Sequence, residues 1–309
     1  MITAAQQRFI ATRAYVPEHL TAYVTAITGS QPHLVDDYVV YRDGDRLIFV
    51  GYPLSAPSDD AAWLAAFEIA QGRFRPRLTS LIVPGGLPDG TYAAPRTAPP
   101  ANLPECLPSP PDAYYRLDVH AVRPGKKLRN LLRRAASELM VGTAASMGRE
   151  HRGLVDEFLA NTPLSDDSRA IFGRLERYAG QSILGAVRRR LLAATAAPDM
   201  GRPVILEARD AGGRLVAFDV VAVSESEYAF YLFNFRSRER YVPGASDLLL
   251  AELIATAQAG GKRYVNLGLG ISPGVSHFKE KWGATAFLAH CAAVCERQRS
   301  PWEEALDAL

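Results

Sequence analysis

Two short stretches far apart in the chain share one pattern. Tyr41-Arg-Asp-Gly-Asp-Arg-Leu-Ile-Phe-Val50 and Ala208-Arg-Asp-Ala-Gly-Gly-Arg-Leu-Val-Ala-Phe218 each read as Arg-Asp, a glycine turn, Arg-Leu and an apolar strand. Asp-Gly and Gly-Gly tolerate the positive φ that tight hairpin turns demand, so each stretch predicts a β-hairpin. Arg42 and Arg209 stand 167 positions apart. Helical segments precede both hairpins, and a helix and a strand follow each. Such recurrence predicts a tandem duplication. A chain of 309 residues has room for two domains of roughly 150 residues each. The expected domains are 1–137 and 138–309.

Between these landmarks the chain alternates helical and strand patterns. Residues 3–27 read as helical, with a break at Pro17. A helix is predicted from Asp59-Asp60 to about Gln71, then a short buried strand over Leu78–Val83. Seven of the 21 prolines fall in residues 94–112, which predicts an extended loop without regular structure. Ala113–His120 resumes a strand. In 126–136, Leu128, Leu131, Leu132, Ala135 and Ala136 share one helical face. Residues 149–197 are helix-rich, and 203–224 form the second hairpin. Tyr228–Phe235 is almost unbroken apolar, as expected of a strand covered on both faces. A helix over 247–259 stops at Gly260-Gly261. Arg263–Leu267 is a strand, and the glycine-rich segment 268–274 reads as loop.

Composition excludes several classes. Hydrophobic residues make up 48% and charged residues 22%, with a net charge of +2, so the chain is neither disordered nor globally basic. Contact with a nucleic acid would need a local patch, and Lys126, Lys127, Arg129, Arg133 and Arg134 supply one. This run reads either as a solvated helix face or as a phosphate contact, with Arg188-Arg-Arg190 as an extension. Cys106, Cys291 and Cys295 are an odd, sparse set that fits a reducing, cytoplasmic setting. Cys291, Cys295 and His290 lack a second pair to complete a metal site, so no metal is expected. The N-terminus lacks the pattern of a signal peptide, and no apolar run is long enough to span a membrane. The six histidines show no spacing for a catalytic triad. No Walker loop or dinucleotide fingerprint stands in a strand–helix context.

The order helix–helix–hairpin–long strand–helix–strand over 149–268 resembles the GNAT superfamily, the acyl-CoA N-acyltransferase fold. The resemblance implies an α+β fold with two tandem GNAT-like domains, each a mixed, mostly antiparallel sheet flanked by helices. It also implies a phosphate-holding turn at Arg236-Ser-Arg-Glu-Arg-Tyr-Val-Pro-Gly-Ala-Ser-Asp247. Free amides and the positive dipole end of the following helix suit an anion there. Arg238, Arg240, Gly244, Ala245 and Ser246 are its candidate cofactor-binding residues. The usual glycine-rich loop for coenzyme A is not matched: Arg240 stands four before Gly244, and Ser246 takes the last place.

Leu128-Arg-Asn-Leu-Leu-Arg-Arg-Ala135, Asn266-Leu-Gly268 and Phe278-Lys-Glu-Lys-Trp-Gly283 resemble the Fem-type aminoacyltransferases. The branch holding the C-terminal domain of lysylphosphatidylglycerol synthase is the most similar. Tyr52, in Val50-Gly-Tyr-Pro-Leu54, stands where that branch has an acidic residue, so the first domain reads as degenerate. The resemblance implies direct transfer of an acyl or aminoacyl group from aminoacyl-tRNA or acyl-CoA, acting as co-substrate, to an amine or hydroxyl. No tightly bound cofactor is implied. The acceptor could be a small molecule, a peptide or a lipid. An acetyl-CoA-dependent N-acetyltransferase and an inactive ligand- or partner-binding pair are the competing readings.

Four residues are the catalytic candidates. In the Fem-type motif Lys279 lies at the transfer centre, where a cation stabilises the oxyanion of an attacked carbonyl. Asp247 either caps its helix or orients the attacking amine. Asn266 and Glu207 would polarise donor or acceptor, or serve as structural hydrogen-bond partners. Phe278, His277, Asn234, Lys127, Arg129 and Arg133 complete the candidates as substrate or phosphate contacts. The donor is expected in a V-shaped opening between strands 228–235 and 263–267.

Overall fold

The computed structural model describes residues 2–55, 62–84, 105–108, 110–191 and 202–297. In chain order the first elements are α1 (Ala4–Ala11), α2 (Thr21–Thr28), β1 (Gln31–Val35), β2 (Tyr38–Asp43), β3 (Arg46–Val50), α3 (Ala62–Phe74), β4 (Leu78–Val83), β5 (Glu105–Pro108) and β6 (Asp112–Asp118). Then follow α4 (Lys126–Glu138), β7 (Leu139–Ala144), α5 (Arg149–Asn161), α6 (Asp166–Leu191), β8 (Arg202–Asp210) and β9 (Leu215–Val223). The last are β10 (Tyr228–Arg236), α7 (Ala245–Ala259), β11 (Tyr264–Leu269), α8 (Pro273–Glu280) and β12 (Thr285–Glu296).

The predicted hairpins, the Pro17 break and the helices at 126–136 and 247–259 are all present. Several expectations are corrected. The proline-rich segment is not wholly irregular: β5 lies inside it, and β6 starts at Asp112. The rest of 94–112 lies outside the described residues, apart from 110 and 111, as does the start of the helix predicted from Asp59. The glycine-rich loop gives way at Pro273 to α8, because Ser272 caps it and a proline at the first helical turn is tolerated. Strands β7 and β12 carry no alternating pattern strong enough to announce them. Cys295 is disulfide-bonded, and the β12–β5 register sets Cys106 opposite it. The odd cysteine count therefore does not argue for a reducing setting.

The chain forms two compact units that no single cut at 137/138 separates. One comprises residues 1–3, 30–113 and 288–309, the other 4–29 and 114–287. The reason lies in strand membership. Strand β6, which follows β4 and the short β5, pairs with β11, while β12, which follows β11, pairs with β4.

In the first unit β1, β2 and β3 form an antiparallel meander, α3 crosses over, and β4 returns parallel to β3. Trp63, Ala66, Phe67 and Ala70 of α3 are buried against Val40, Leu47, Phe49 and Leu81 of the sheet. In the second unit the order is β6-β11-β10-β9-β8-β7, antiparallel except for β10 with β11. Helices α4 and α7 cover one face, where Leu249, Leu250 and Leu253 are fully buried. Helices α2, α5 and α6 cover the other, around Phe218 and Phe235.

Both units thus run meander, crossover helix, parallel strand. The two Arg-Asp turns are not equivalent within that plan, however. Asp43-Gly44 leads into β3, the strand before the crossover, whereas Ala211–Gly213 lies one hairpin too early, between β8 and β9. The shared residues reflect shared turn chemistry; the repeat itself is a repeat of topology.

Candidate functional site

The predicted opening is present in the second unit. Strand β10 pairs with β11 only at Tyr228↔Tyr264, Ala229↔Val265 and Phe230↔Asn266. Beyond that point β10 bulges against β9 between Tyr231 and Phe233. Strand β11 turns away at Gly268, whose φ of 74° suits glycine. Asn266 holds the bend: its Oδ1 accepts from the Gly268 amide at 2.7 Å, and its Nδ2 donates to the Tyr15 carbonyl at 2.8 Å. Asn266 is fully buried and is not among the residues lining the opening. It shapes the fork from behind.

The fork widens into a cleft of about 900 Å³ between β10, the N-terminal end of α7 and α8. The turn before α7 is held tightly. Gly244 caps the helix at φ 88°, and a Cβ there would lie 2.9 Å from Cγ of Leu131 on α4. Both backbone conformation and space therefore demand glycine. In the first turn, the Ser246 and Asp247 amides have no carbonyl four residues earlier within the helix. Ser246 donates from Oγ to Asn234 Oδ1 at 3.0 Å, and Asn234 donates from Nδ2 to Asp219 Oδ1 at 2.6 Å. Asp219 is fully buried, and burial pushes its carboxyl well above the usual range, against the effect of hydrogen bonds from Asn234 and Tyr231. Burial likewise pushes the Tyr231 hydroxyl well above its usual range.

Lys279 is buried on α8, lines the cleft and donates from Nζ to the Leu269 carbonyl. It stands 5.5 Å from the Tyr115 ring centroid. Its Nζ also lies 3.9 Å from the point where a Cβ on Gly268 would be, which puts it at the mouth of the fork. Asp247 lines the same cleft, but its carboxylate is engaged. Lys281 Nζ lies 2.7 Å from Oδ1, and Trp282 Nε1 donates to that oxygen at 2.9 Å. Phe278 lines the cleft with its ring stacked on Tyr231 at 6.4 Å, and Lys281 sits 4.5 Å above it.

The remaining candidates divide. Asn234, Gly244, Ala245 and Ser246 line the cleft; Glu207, His277, Arg238, Arg240, Lys127, Arg129 and Arg133 do not. Glu207 sits on β8 in a clasp with Arg209, at 2.9 Å from both of its oxygens, and with His151 Nε2 at 2.9 Å. Arg238 bonds Glu157 and Asn161 of α5, and Arg240 bonds the Leu215 carbonyl and pairs with Glu239. His277 is exposed. The basic residues of α4 are exposed too, although Leu131 of that helix lines the cleft. Of the three arginines that add charge to the predicted turn, Arg236 lines the cleft, its guanidinium 5.3 Å from the Tyr241 ring. Sequence reasoning did not reach Phe158, Phe172, Phe233 and Phe235 as lining residues, because aromatic residues in apolar runs look like core. Among the described residues no cluster of His, Cys, Asp or Glu could hold a metal, and no helix is long and apolar enough to cross a membrane.

No curated protein matches this chain by sequence. Among solved structures the chain is similar to the C-terminal domain (DUF2156) assigned to a lysylphosphatidylglycerol synthetase from Agrobacterium fabrum, with 16% identity, coverage of 99% of this chain and 96% of that one, and a TM-score of 0.55. It is similar to L-PGS from Bacillus licheniformis, at 15% identity, 96% coverage of both chains and a TM-score of 0.51. It is also similar to a tandem GNAT protein from the clavulanic acid biosynthesis pathway, at 14% identity, 96% coverage of both and a TM-score of 0.50. These likenesses show the fold. The family model for the acetyltransferase (GNAT) domain matches residues 126–280, just over half of the chain and all of it within the unit that holds the fork. The splayed parallel strands, the anion-ready helix terminus beside them and this match lead to one conclusion: the chain belongs to the acetyltransferase (GNAT) domain family.

Proposed function

We propose that the second unit moves an activated acyl or aminoacyl group directly from a phosphate-bearing donor to an amine or hydroxyl acceptor. The observation that carries this reading is the open fork with buried Lys279 at its mouth and the free amides of α7 beside it. The donor's carbonyl would lie in the fork, with its nearest phosphate at Ser246 and Asp247. The acceptor attacks the carbonyl carbon, a C–N or C–O bond forms, and the bond to the donor's oxygen or sulfur breaks. The acceptor's proton ends on the leaving group. Lys279 stabilises the oxyanion, and its low exposure strengthens that interaction. Asp247, engaged by Lys281 and Trp282, positions the α7 terminus against α8 rather than removing a proton.

Aminoacyl-tRNA suits the donor side better than coenzyme A. Leu131 covers Gly244, so α4 borders the phosphate turn, and α4 carries five exposed cations over Lys126–Arg134. A long polyanion could follow them. Acetyl-CoA remains the second reading, on the strength of the family match.

The deciding experiment supplies both donors in parallel to the intact protein and to Lys279→Ala. The variant is expected to fold normally and to lose about 10²-fold or more in rate, the usual cost of removing one oxyanion donor. An unchanged rate would sink the assignment of Lys279, and turnover with neither donor would sink the transferase reading.

A further inference from the structure

The two walls of the cleft differ in chemistry. Past its pairing with β11, β10 changes from buried to half-buried over Tyr231–Asn234, although Leu232 and Phe233 are apolar. Its side chains alternate between the two faces of the sheet. Asn234 faces α7, as its bond to Ser246 requires. Phe233 and Phe235 face α5 and α6, where they meet Phe172 at 5.6 and 6.0 Å, while Phe158 lies 5.5 Å from Phe235. All four residues line the cleft, as does Thr162.

Among the described residues, the ionisable lining side chains other than tyrosine belong to the opposite wall or to the α8 end: Arg236, Asp247, Lys279 and Lys281. Asp247 and Lys281 neutralise each other. Among its described residues the α5/α6 wall therefore offers no carboxylate to a cationic body and no cation to an anionic one, so a polar acceptor would lose its hydration there without compensation. An aryl or branched hydrocarbon would bury its surface against the rings.

Resting on the transfer reading above, we infer that the acceptor carries its amine or hydroxyl on an aryl-hydrocarbon frame seated among Phe158, Phe172, Phe233 and Phe235. The donor takes the α7 wall. The free-base nitrogen or hydroxyl oxygen of the acceptor reaches the carbonyl at the fork, and its proton leaves with the donor's alkoxide or thiolate.

The test measures calorimetric binding of 2-phenylethylamine and 2-phenylethanol to the full chain without donor, with spermidine and glucosamine as polar controls. Both phenyl probes should bind saturably, and the polar amines at least about tenfold more weakly, a difference of about 1.4 kcal/mol. Thr162→Trp, which fills the lobe without removing a ring, should abolish phenyl binding, and Phe172→Leu should weaken it. Polar amines binding as well as the phenyl probes, or Thr162→Trp binding them normally, would overturn the inference. Phenyl binding without turnover by either donor would support an aryl site and overturn the transfer reading. Turnover with polar acceptors, uninhibited by the phenyl probes, would do the reverse.

Discussion

Asp219 is a fully buried carboxyl on β9, hydrogen-bonded by Asn234 and held neutral by its surroundings. Its folded pKa is raised above the unfolded value of about 3.9. Above that value the folded state binds more protons than the unfolded one, so this group's contribution to stability falls as pH rises through the window up to its folded pKa. Asp219→Asn, nearly isosteric and still able to accept from Asn234, should remove that loss. Urea unfolding should find the variant's stability relative to the parent greater at pH 7 than at pH 3.5; an equal difference at both would refute the buried neutral acid. Nothing in the segment Phe218-Asp-Val220 announces this, since burial is set by α7 lying above it. Lys279 stands differently. Its motif was legible in the sequence, but its burial and its bond to the Leu269 carbonyl come from α8, which a glycine-rich stretch concealed.

At the scale of elements, α4 is the clearest success of periodicity. Leu128 and Ala135 are buried and Leu131 and Leu132 half-buried, as the stripe predicted, although Ala136 is exposed. The cations of the polar face stay in solvent. If they follow a polyanionic donor, Arg133→Ala should lower the slope of log affinity for charged tRNA against log salt by about one. An unchanged slope across a salt titration would return Arg133 to a merely solvated face. Strand β10 shows the opposite limit of sequence reading. Its almost unbroken apolar run predicted burial on both faces, which holds for Tyr228–Phe230 and fails for Tyr231–Asn234. A run of aromatic residues records contact with something apolar. It does not record whether that partner is protein or ligand.

At the scale of the whole molecule, the first unit repeats the second unit's topology without its fork. Strands β3 and β4 pair over all five residues from Arg46↔Leu78 to Val50↔Ile82, and the Gly51 amide continues the ladder to the Ile82 carbonyl at 2.7 Å. Tyr52 then closes the end, donating its hydroxyl toward the Val83 and Ala289 carbonyls at 3.2 and 2.7 Å. Tyr52→Phe should cost about 1–2 kcal/mol of stability, the usual value of a lost buried hydrogen bond. Acyl transfer should be unaffected, and a fall in rate without a fall in melting temperature would place part of the site in the first unit. The sequence by itself determined what is local: the hairpin turns at Asp43-Gly44 and Gly212-Gly213, the amphipathic face of α4, and the helix stop at Gly260. These follow from φ preferences and side-chain spacing within a few residues. Which strand lies beside which was decided only by the tertiary structure. The early end of the β10–β11 ladder, the destinations of β6 and β12, and the aromatic wall of the cleft all depend on edges and surfaces brought together from distant parts of the chain. No local pattern encodes them, because backbone pairing and apolar burial are satisfied by any partner of the right shape, and only the assembled fold selects one.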